Sequence, residues 1–432
     1  MQSWTSPAIP ALPGRGHRPR LHDTASGERV DPVTGGVGAL YVCGITPYDS
    51  THLGHAFTYL AFDTLNRVWR DAGVDVRYVQ NITDIDDPLL ERAEATGVDW
   101  RDLASDQIDL FRSDMSTLRV LPPDHYIGVV EAMDLLVTAV ETMLAAGAAY
   151  RVEQDVYADL SADERFGSLS HLDPEAMATL FAERGGDPDR PGKRDPLDPL
   201  LWRGQRPGEP HWDGHGLGPG RPGWHIECGA IAAEYLGLPV SVQGGGQDLI
   251  FPHHDMGTSH LRFLPASGTH GDQSTQGTSQ EPIRCFVHTG LVAYQGHKMS
   301  KSLGNLVFIS RLVAQGVDPR AIRLALLDHT YRDSWEFAHA HLETAGARLA
   351  RWRRVVPDRD EPGAANASGG PSSSQGPNAV THLERVRAAL ADDLDTPAAL
   401  AAVDAWASQG GADNPALLVD AVDALLGVDL RS

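Results

Sequence analysis

ALYVCGITPYDSTHLGHAFTYLAFDTLNRVWRDAGVDVRYV, residues 39–79, is the stretch on which the fold turns. Ala39 to Cys43 is a short apolar run closed by Gly44 and Pro47, the pattern of a buried parallel strand that ends in a loop. Ala56 to Trp69 places Phe57, Leu60, Leu65 and Val68 among polar residues at helical intervals, and Gly73 stops the run. Val74 to Val79 is a second apolar strand, ending at Asn81. Strand, helix and strand in so short a span make a βαβ unit. The expected fold is therefore α/β, a Rossmann-like parallel sheet that binds a nucleotide at the C-terminal ends of its strands.

Outward from that unit, a helical region is expected from about Leu89 to Ala146. Residues 149–222 change character, with short β-like pieces at Ala149 to Val152 and Asp155 to Ala158 and then many Gly, Pro and Arg, as in an inserted subdomain. The sheet resumes at Val240 to Gln243 and at Ile283 to His288. Between these, Pro265 to Gln280 is rich in Gly, Ser, Thr and Gln and reads as a surface insertion. Helices follow Val307, among them Ala321 to His329 and His341 to Val355, and a Gly/Ser/Pro/Asn linker spans Glu361 to Asn378. The expected division is an N-terminal extension at 1–38, a catalytic domain at 39–120 and 223–306, an inserted connective subdomain at 121–222 and a C-terminal helical bundle at 307–432.

The 432 residues are 41% apolar and 22% charged, the composition of a globular chain with more than one domain. No run approaches the roughly 20 apolar residues needed to cross a bilayer. Met1 to Arg20 lacks the apolar core of a signal peptide. Three cysteines are too few for a disulfide framework, so a cytoplasmic location is expected, with no membrane partner. Lys plus Arg number 36 against 58 Asp plus Glu, a formal net charge of -22. From Arg387 to Arg431 no basic residue intervenes, while eight acids do. Such a surface is ill suited to RNA, because phosphate contacts need a basic face, and no nucleic-acid partner is expected.

Two motifs carry the chemistry. His52-Leu53-Gly54-His55 lies between the first strand and its helix, where a glycine admits a ligand to the backbone and the helix N-terminus favours phosphate. Imidazoles at i and i+3 can donate to phosphate oxygens as charge develops. Taken alone, the motif reads equally as a helix cap with two histidines. Lys298-Met299-Ser300-Lys301-Ser302 sits on a glycine-flanked loop after an apparent strand, where two lysines can neutralise a departing pyrophosphate.

HLGH with KMSKS resembles the signature pair of the class I aminoacyl-tRNA synthetases. YVCGITPYD (41–49), NITDIDD (81–87), GWHIECG (223–229), FPHHD (251–255) and HKMSKSLGN (297–305) resemble the cysteine branch of that family. The likeness covers Leu40 to Trp335, with a weaker match in DDLDTPAAL (392–400). It implies catalytic roles for His52, His55, Lys298 and Lys301. Gly44, Ile45, Thr46, Thr58, Asn81, Ile82, Thr83, Gly246, Gln247, Asp248 and Val292 are expected to line the adenylate, with Trp224 closing the amino-acid pocket. ATP with Mg²⁺ and L-cysteine are the implied substrates. The acidic residues Asp84, Asp86 and Asp87 read as a hydrogen-bonded loop near the nucleotide rather than a metal site.

Cys43, Cys228 and His253 are distant in sequence but fall at sheet-adjacent positions, and thiolate with imidazole suits zinc. Buried inert thiols are the competing reading for the two cysteines. The resemblance implies that these three are ligands of one zinc ion per chain, which would separate cysteine from serine. The family's fourth ligand, a Glu four residues after the histidine, is Gly257 here. Cys285 lies mid-strand and reads as a structural thiol, and His254 as a packing residue.

Three features turn the expected acceptor away from tRNA. About thirty residues follow DDLDTPAAL, where the synthetases continue into an anticodon-reading domain. Those residues are acidic. ERGGDP (183–188) and the opening MQSWTSPAIPALPG resemble a related family, the cysteine ligases of mycothiol biosynthesis. That resemblance implies glucosaminyl-inositol as acceptor and a monomer. A compact cysteinyl-tRNA synthetase is the alternative, and a non-catalytic cysteine-sensing paralogue a third.

Overall fold

The computed structural model describes residues 1–48, 51–265, 281–299, 303–356, 378–410 and 414–432. Lys301, residues 266–280 of the expected insertion and 361–377 of the expected linker lie outside them. A short hairpin, β1 (Leu21–His22) and β2 (Arg29–Val30), precedes the βαβ unit of β3 (Val37–Val42), α1 (Leu53–Asp71) and β4 (Asp75–Ile82). β3 and β4 pair in parallel from Val37↔Asp75 to Val42↔Gln80. α1 buries the apolar stripe its spacing predicts, but also Asp63, Asn66 and Arg67. A helix buried on most sides has neighbours all round it, here the sheet on one side and C-terminal helices on the other.

Next come α2 (Asp87–Thr96), α3 (Trp100–Thr117), β5 (His125–Gly128) and α4 (Met133–Ala145). β5 corrects the expectation of continuous helix over 89–146. It joins β4 in parallel, Val79↔His125 to Ile82↔Gly128, beyond the point where the catalytic segment was expected to end. Pro122 and Pro123 break the helical run before it. Four residues are too few to show a period of their own.

The insert forms an antiparallel sheet in the order β6 (Ala149–Val152), β7 (Asp155–Ala158), β8 (Leu200–Gly204) and β9 (Gly220–Pro222), with α5 (Pro174–Glu183) between its second and third strands. α6 (Trp224–Leu236), β10 (Val242–Gly246), α7 (Asp255–Leu261) and β11 (Phe286–Thr289) return the chain to the first sheet. That sheet runs β11-β10-β3-β4-β5, with every pairing parallel. Chain order reverses between β3 and β10. At such a switch point a crevice opens beyond the strands' carboxyl ends.

β12 (Val292–Tyr294) pairs with β13 (His297–Lys298) and, after α8 (Ile309–Ala314) and α9 (Pro319–Leu327), with β14 (Trp335–Glu336). α10 (His339–Arg353), α11 (Ala379–Ala391), α12 (Thr396–Ser408) and α13 (Pro415–Leu426) complete the helical bundle. No helix among the described residues is long and apolar enough to cross a membrane.

The acidic tail is not a free negative face. Asp392 pairs with Arg29, Asp404 with Arg348 at 3.0 Å, Asp420 with Arg431 at 2.6 Å and Asp423 with Arg119 at 2.5 Å. Asp393 accepts from Tyr331, Arg332 and the backbone of His22, and Asp395 caps α12. Asp392, Asp393 and Asp423 tie the bundle to the rest of the chain, while Asp404 and Asp420 pair within it.

The bundle is also pinned to α1 by buried charge. Arg67 Nε donates to Asp63 Oδ2 at 2.8 Å, and the Arg323 guanidinium reaches the same oxygen. Asp63 Oδ1 accepts from Leu121 N at 2.7 Å. Burial alone would push the Asp63 carboxyl up, but Arg67 and Arg323 hold it below its ordinary value. Burial draws Arg323 down to about 10, so it stays charged at neutral pH. Removing one member strands the others, which costs about 3–5 kcal/mol. Asp63→Asn should lower unfolding free energy by that amount in urea titration; a loss under about 1 kcal/mol would contradict the buried network.

Candidate active site

β3 ends at the switch point with Cys43, whose N–H donates to Gly244 O at 3.1 Å and carries the β3–β10 pairing one residue further. Gly44 follows because nothing larger fits: a Cβ there would stand 1.7 Å from the Asn81 carbonyl oxygen. Asn81 Oδ1 accepts from Gly44 N at 2.8 Å and Tyr41 OH at 3.1 Å, locking the ends of β3 and β4 together. Tyr59 OH of α1 donates to Cys43 O at 3.0 Å.

His52 is the N-cap of α1, and its Nδ1 accepts from Gly54 N at 3.1 Å. That bond assigns the proton to Nε2, leaving a donor for a ligand. A Cβ on Gly54 would press on the His52 ring at 2.9 Å, so the glycine makes the turn possible. The His52 and His55 rings stack at 3.8 Å. Burial first, then the neighbouring cation of Lys298, lowers His55 to about 4. Burial and His55 lower His52 as well. Both imidazoles are neutral at neutral pH, and His55 Nδ1 is buried without a partner. Across the crevice, Lys298 Nζ of β13 sits 2.9 Å from Asp248 Oδ2, in the turn after β10. Burial opposes the Asp248 charge, yet Lys298 holds its carboxyl below the usual range.

A cluster of sulfur and imidazole lies between these parts. Cys43 Sγ is 3.1 Å from His254 Nε2, and Cys228 Sγ is 3.2 Å from His253 Nε2. One ligand atom each of Cys43, His253 and His254 falls within 4.8 Å of the others, all three residues buried, and the group could hold a metal ion. A hydrogen bond from Cys43 and the nearby His253 pull the Cys228 thiol well below its ordinary value, while burial keeps Cys43 high. Trp224, the first residue of α6, stacks on His253 at 4.3 Å. His254, read as packing from sequence, stands against Cys43 instead. Its Nδ1 is 2.8 Å from His288 Nε2, and His288 Nδ1 is 2.7 Å from Thr24 Oγ1. This chain orients the imidazole from behind. Cys285 is fully buried, its thiol pushed up by burial, as a structural thiol requires.

One cavity of about 1040 Å³ is lined by Cys43, Gly44, Ile45, Thr46, His52, His55, Thr58, Thr83, Trp224, Cys228, Gly246, Asp248, His253, Val292 and Lys298. Most of the expected site residues are thus brought together. Asn81, Ile82 and Gln247 are not among its lining residues; Asn81 and Ile82 are buried and shape the wall from behind. Sequence reasoning gave no role to Arg184. Its guanidinium donates to Asp248 O at 2.6 Å and to Phe251 O, tying the ERGGDP loop of the insert to the turns that carry Asp248 and His253. The motif itself was visible in the sequence, but its target was not.

A doubly wound parallel sheet with these motifs at its switch point defines a class I synthetase-type adenylate-forming domain. The chain belongs to the family of class I (C) tRNA synthetase catalytic domains, whose model matches residues 29–347. It is 56% identical, over 99% of this chain and all of the relative, to the L-cysteine:1D-myo-inositol 2-amino-2-deoxy-alpha-D-glucopyranoside ligase of Cellulomonas flavigena. A ligase of the same description from Xylanimonas cellulosilytica is 55% identical over the whole of both chains. Among solved structures, Mycobacterium tuberculosis methionyl-tRNA synthetase bound by methionyl-adenylate is similar in fold, with a TM-score of 0.57, 18% identity and coverage of 91% of this chain and 89% of that one.

The neutral buried histidines have a consequence for stability. His55 and His260 are both lowered from 6.5 to about 4, with burial the first cause in each. Between those values the unfolded chain binds protons that the fold refuses. Stability is therefore whole above pH 6.5 and is lost as pH falls toward 4. The thermal midpoint should drop steeply across that window, and His55→Gln should remove part of the drop; an equally steep profile in the variant would contradict the assignment.

Proposed function

We propose that this chain joins L-cysteine to the amine of 1D-myo-inosityl 2-amino-2-deoxy-alpha-D-glucopyranoside through a cysteinyl adenylate, releasing AMP and diphosphate. The reading extends to a cytoplasmic monomer that takes ATP with Mg²⁺. It rests on one observation above others. A single cavity holds the HLGH imidazoles, Lys298 and the thiol–imidazole cluster, in a chain similar from end to end to ligases of that description.

Zinc is the metal this donor set fits. Thiols and imidazoles, buried together with Cys228 biased toward thiolate, are borderline-soft ligands. Cys43, Cys228 and His253 would hold it, and His254 is close enough to take part or to orient Cys43. When bound, the ion supplies a site for the substrate thiolate that the hydroxyl of serine cannot match.

In the first step the cysteine carboxylate attacks the α-phosphorus of ATP and diphosphate leaves. His52 Nε2–H and His55 donate to the phosphate oxygens as neutral imidazoles, and Lys298 adds a positive charge on the same side. Asp248 lies where the ribose hydroxyls of a nucleotide at the end of β10 would be accepted. Trp224 covers the amino acid against His253 and excludes water. In the second step the unprotonated amine of the acceptor attacks the adenylate carbonyl, the C–N bond forms, the C–O bond breaks, AMP departs with the bond's electron pair and the nitrogen gives up a proton. The residues present require no enzyme nucleophile.

The test is AMP release by purified protein with ATP and cysteine, with glucosaminyl-inositol in one series and cysteine tRNA in another. Turnover that requires the amino sugar and yields a cysteinyl amide supports the ligase. Turnover that requires the tRNA would overturn it and make the chain a short cysteinyl-tRNA synthetase.

A further inference from the structure

The adenylate motifs and the thiol–imidazole cluster do not use the whole cavity. A pocket for one drug-sized ligand has roughly 300–1,000 Å³, and the lining of the cavity of about 1040 Å³ here includes residues that neither feature uses. These are Asp86, Asp87 and Glu91 at the start of α2, and Arg203 of β8 and Arg221 of β9, with Arg221 and Asp87 in contact. This part of the lining, a lobe shared by the NITDIDD loop and the inserted sheet, is where the two elements meet.

Each wall has features that a purely structural role leaves over. Asp86 caps α2 by accepting Asp87 N at 2.8 Å, which occupies one carboxylate oxygen. No ion pair closes on Asp86 among the described residues. Burial, the largest influence, raises its carboxyl to about 6, so it is still an anion at neutral pH. Arg221 is only 4% exposed, yet it lines the lobe. One of its terminal nitrogens contacts Asp87 Oδ1 and lies 3.6 Å from Glu209 Oε2, while its Nε is buried with no partner. Arg203 is held rigidly by two bonds to Glu209, at 3.0 and 2.9 Å. Alternating carboxylates and fixed guanidinium groups are suited to a ligand rich in hydroxyls, which donate to the former and accept from the latter. Three carboxylates at one end select against phosphate and in favour of a cation.

We propose that this lobe is the acceptor subsite and that it takes an amino sugar: the Asp86 carboxylate receives the ammonium group and accepts the proton it must lose before the nitrogen attacks, and Asp87, Arg221 and Arg203 take the hydroxyls. The assignment rests on the ligase reading above. It places the amine beside the loop that leads from β4 to the adenylate, and the hydroxylated remainder between the two sheets. It also gives the insert a purpose in substrate selection, since both arginines belong to it.

Asp86→Asn tests the assignment, because asparagine is as good an N-cap as aspartate and leaves α2 intact. Two half-reactions are measured, cysteine-dependent ATP–diphosphate exchange and transfer of cysteine from the preformed adenylate to glucosaminyl-inositol. The loss of a charge-assisted hydrogen bond should raise the acceptor KM about tenfold or more, with a much smaller effect on exchange. The wild type should also be inhibited more weakly by the analogue carrying a hydroxyl in place of the amine, a preference that Asp86→Asn should erase. An unchanged acceptor KM, or an amine preference that survives, overturns the assignment. If exchange collapses as well, Arg203→Lys decides, and an unaltered acceptor KM there overturns the assignment. Failure of the ligase reading looks different, because the wild-type protein itself would then make no cysteinyl amide.

Discussion

Parallel pairing between β3 and β10 sets the distance between the two halves of the site. Through it, Cys43 at the end of one strand stands beside the turn that follows the other, and that turn carries Asp248, His253 and His254. The register is held by an arrangement that tolerates little change. Gly44 passes so close to the Asn81 carbonyl that a single methyl group would collide with it, and Asn81 in turn bonds both Gly44 and Tyr41. A shift of one residue would turn Cys43 away from the imidazoles, since successive strand side chains face opposite sides of a sheet. The thiol–imidazole cluster, the HLGH turn and the turn that carries Asp248 all depend on that crossing.

What surrounds the crossing is unusually polar for an interior. Buried groups of this kind persist when their partners are supplied, and here they come from distant parts of the chain. Thr24 of the N-terminal segment orients His288 and through it His254. Arg184 of the insert holds the carbonyls of Asp248 and Phe251. The bundle contributes from further away, through the Asp63, Arg67 and Arg323 network that seats α1, the helix whose N-terminus presents His52 and His55. Extension, insert and bundle each brace one side of the same crevice.

Much of this was legible in the sequence, for identifiable reasons. The βαβ unit announced itself because its strands are continuous apolar runs and its helix carries a clear stripe. HLGH and Lys298 were legible as candidate site residues because each belongs to a short motif with fixed local spacing, and the fold brings His52, His55 and Lys298 to one cavity. The misses have the opposite character. β5 is four residues long and shows no period of its own. His254 and His288 meet only through the tertiary fold, across the β10–β11 pairing, so no local pattern marks them. The tail acids read as a surface ill suited to RNA, and no local pattern marks that Asp392, Asp423, Asp404 and Asp420 pair with Arg29, Arg119, Arg348 and Arg431.

The central claim is that the thiol–imidazole cluster holds a metal and that this metal chooses the amino acid. Its most direct test is ATP–diphosphate exchange with cysteine and with serine, run on the protein as purified and again after removal and re-addition of zinc. The account predicts strong preference for cysteine in the zinc-loaded protein, collapse of that preference on removal and its return with the metal. A preference for cysteine that survives complete removal of metal would contradict it.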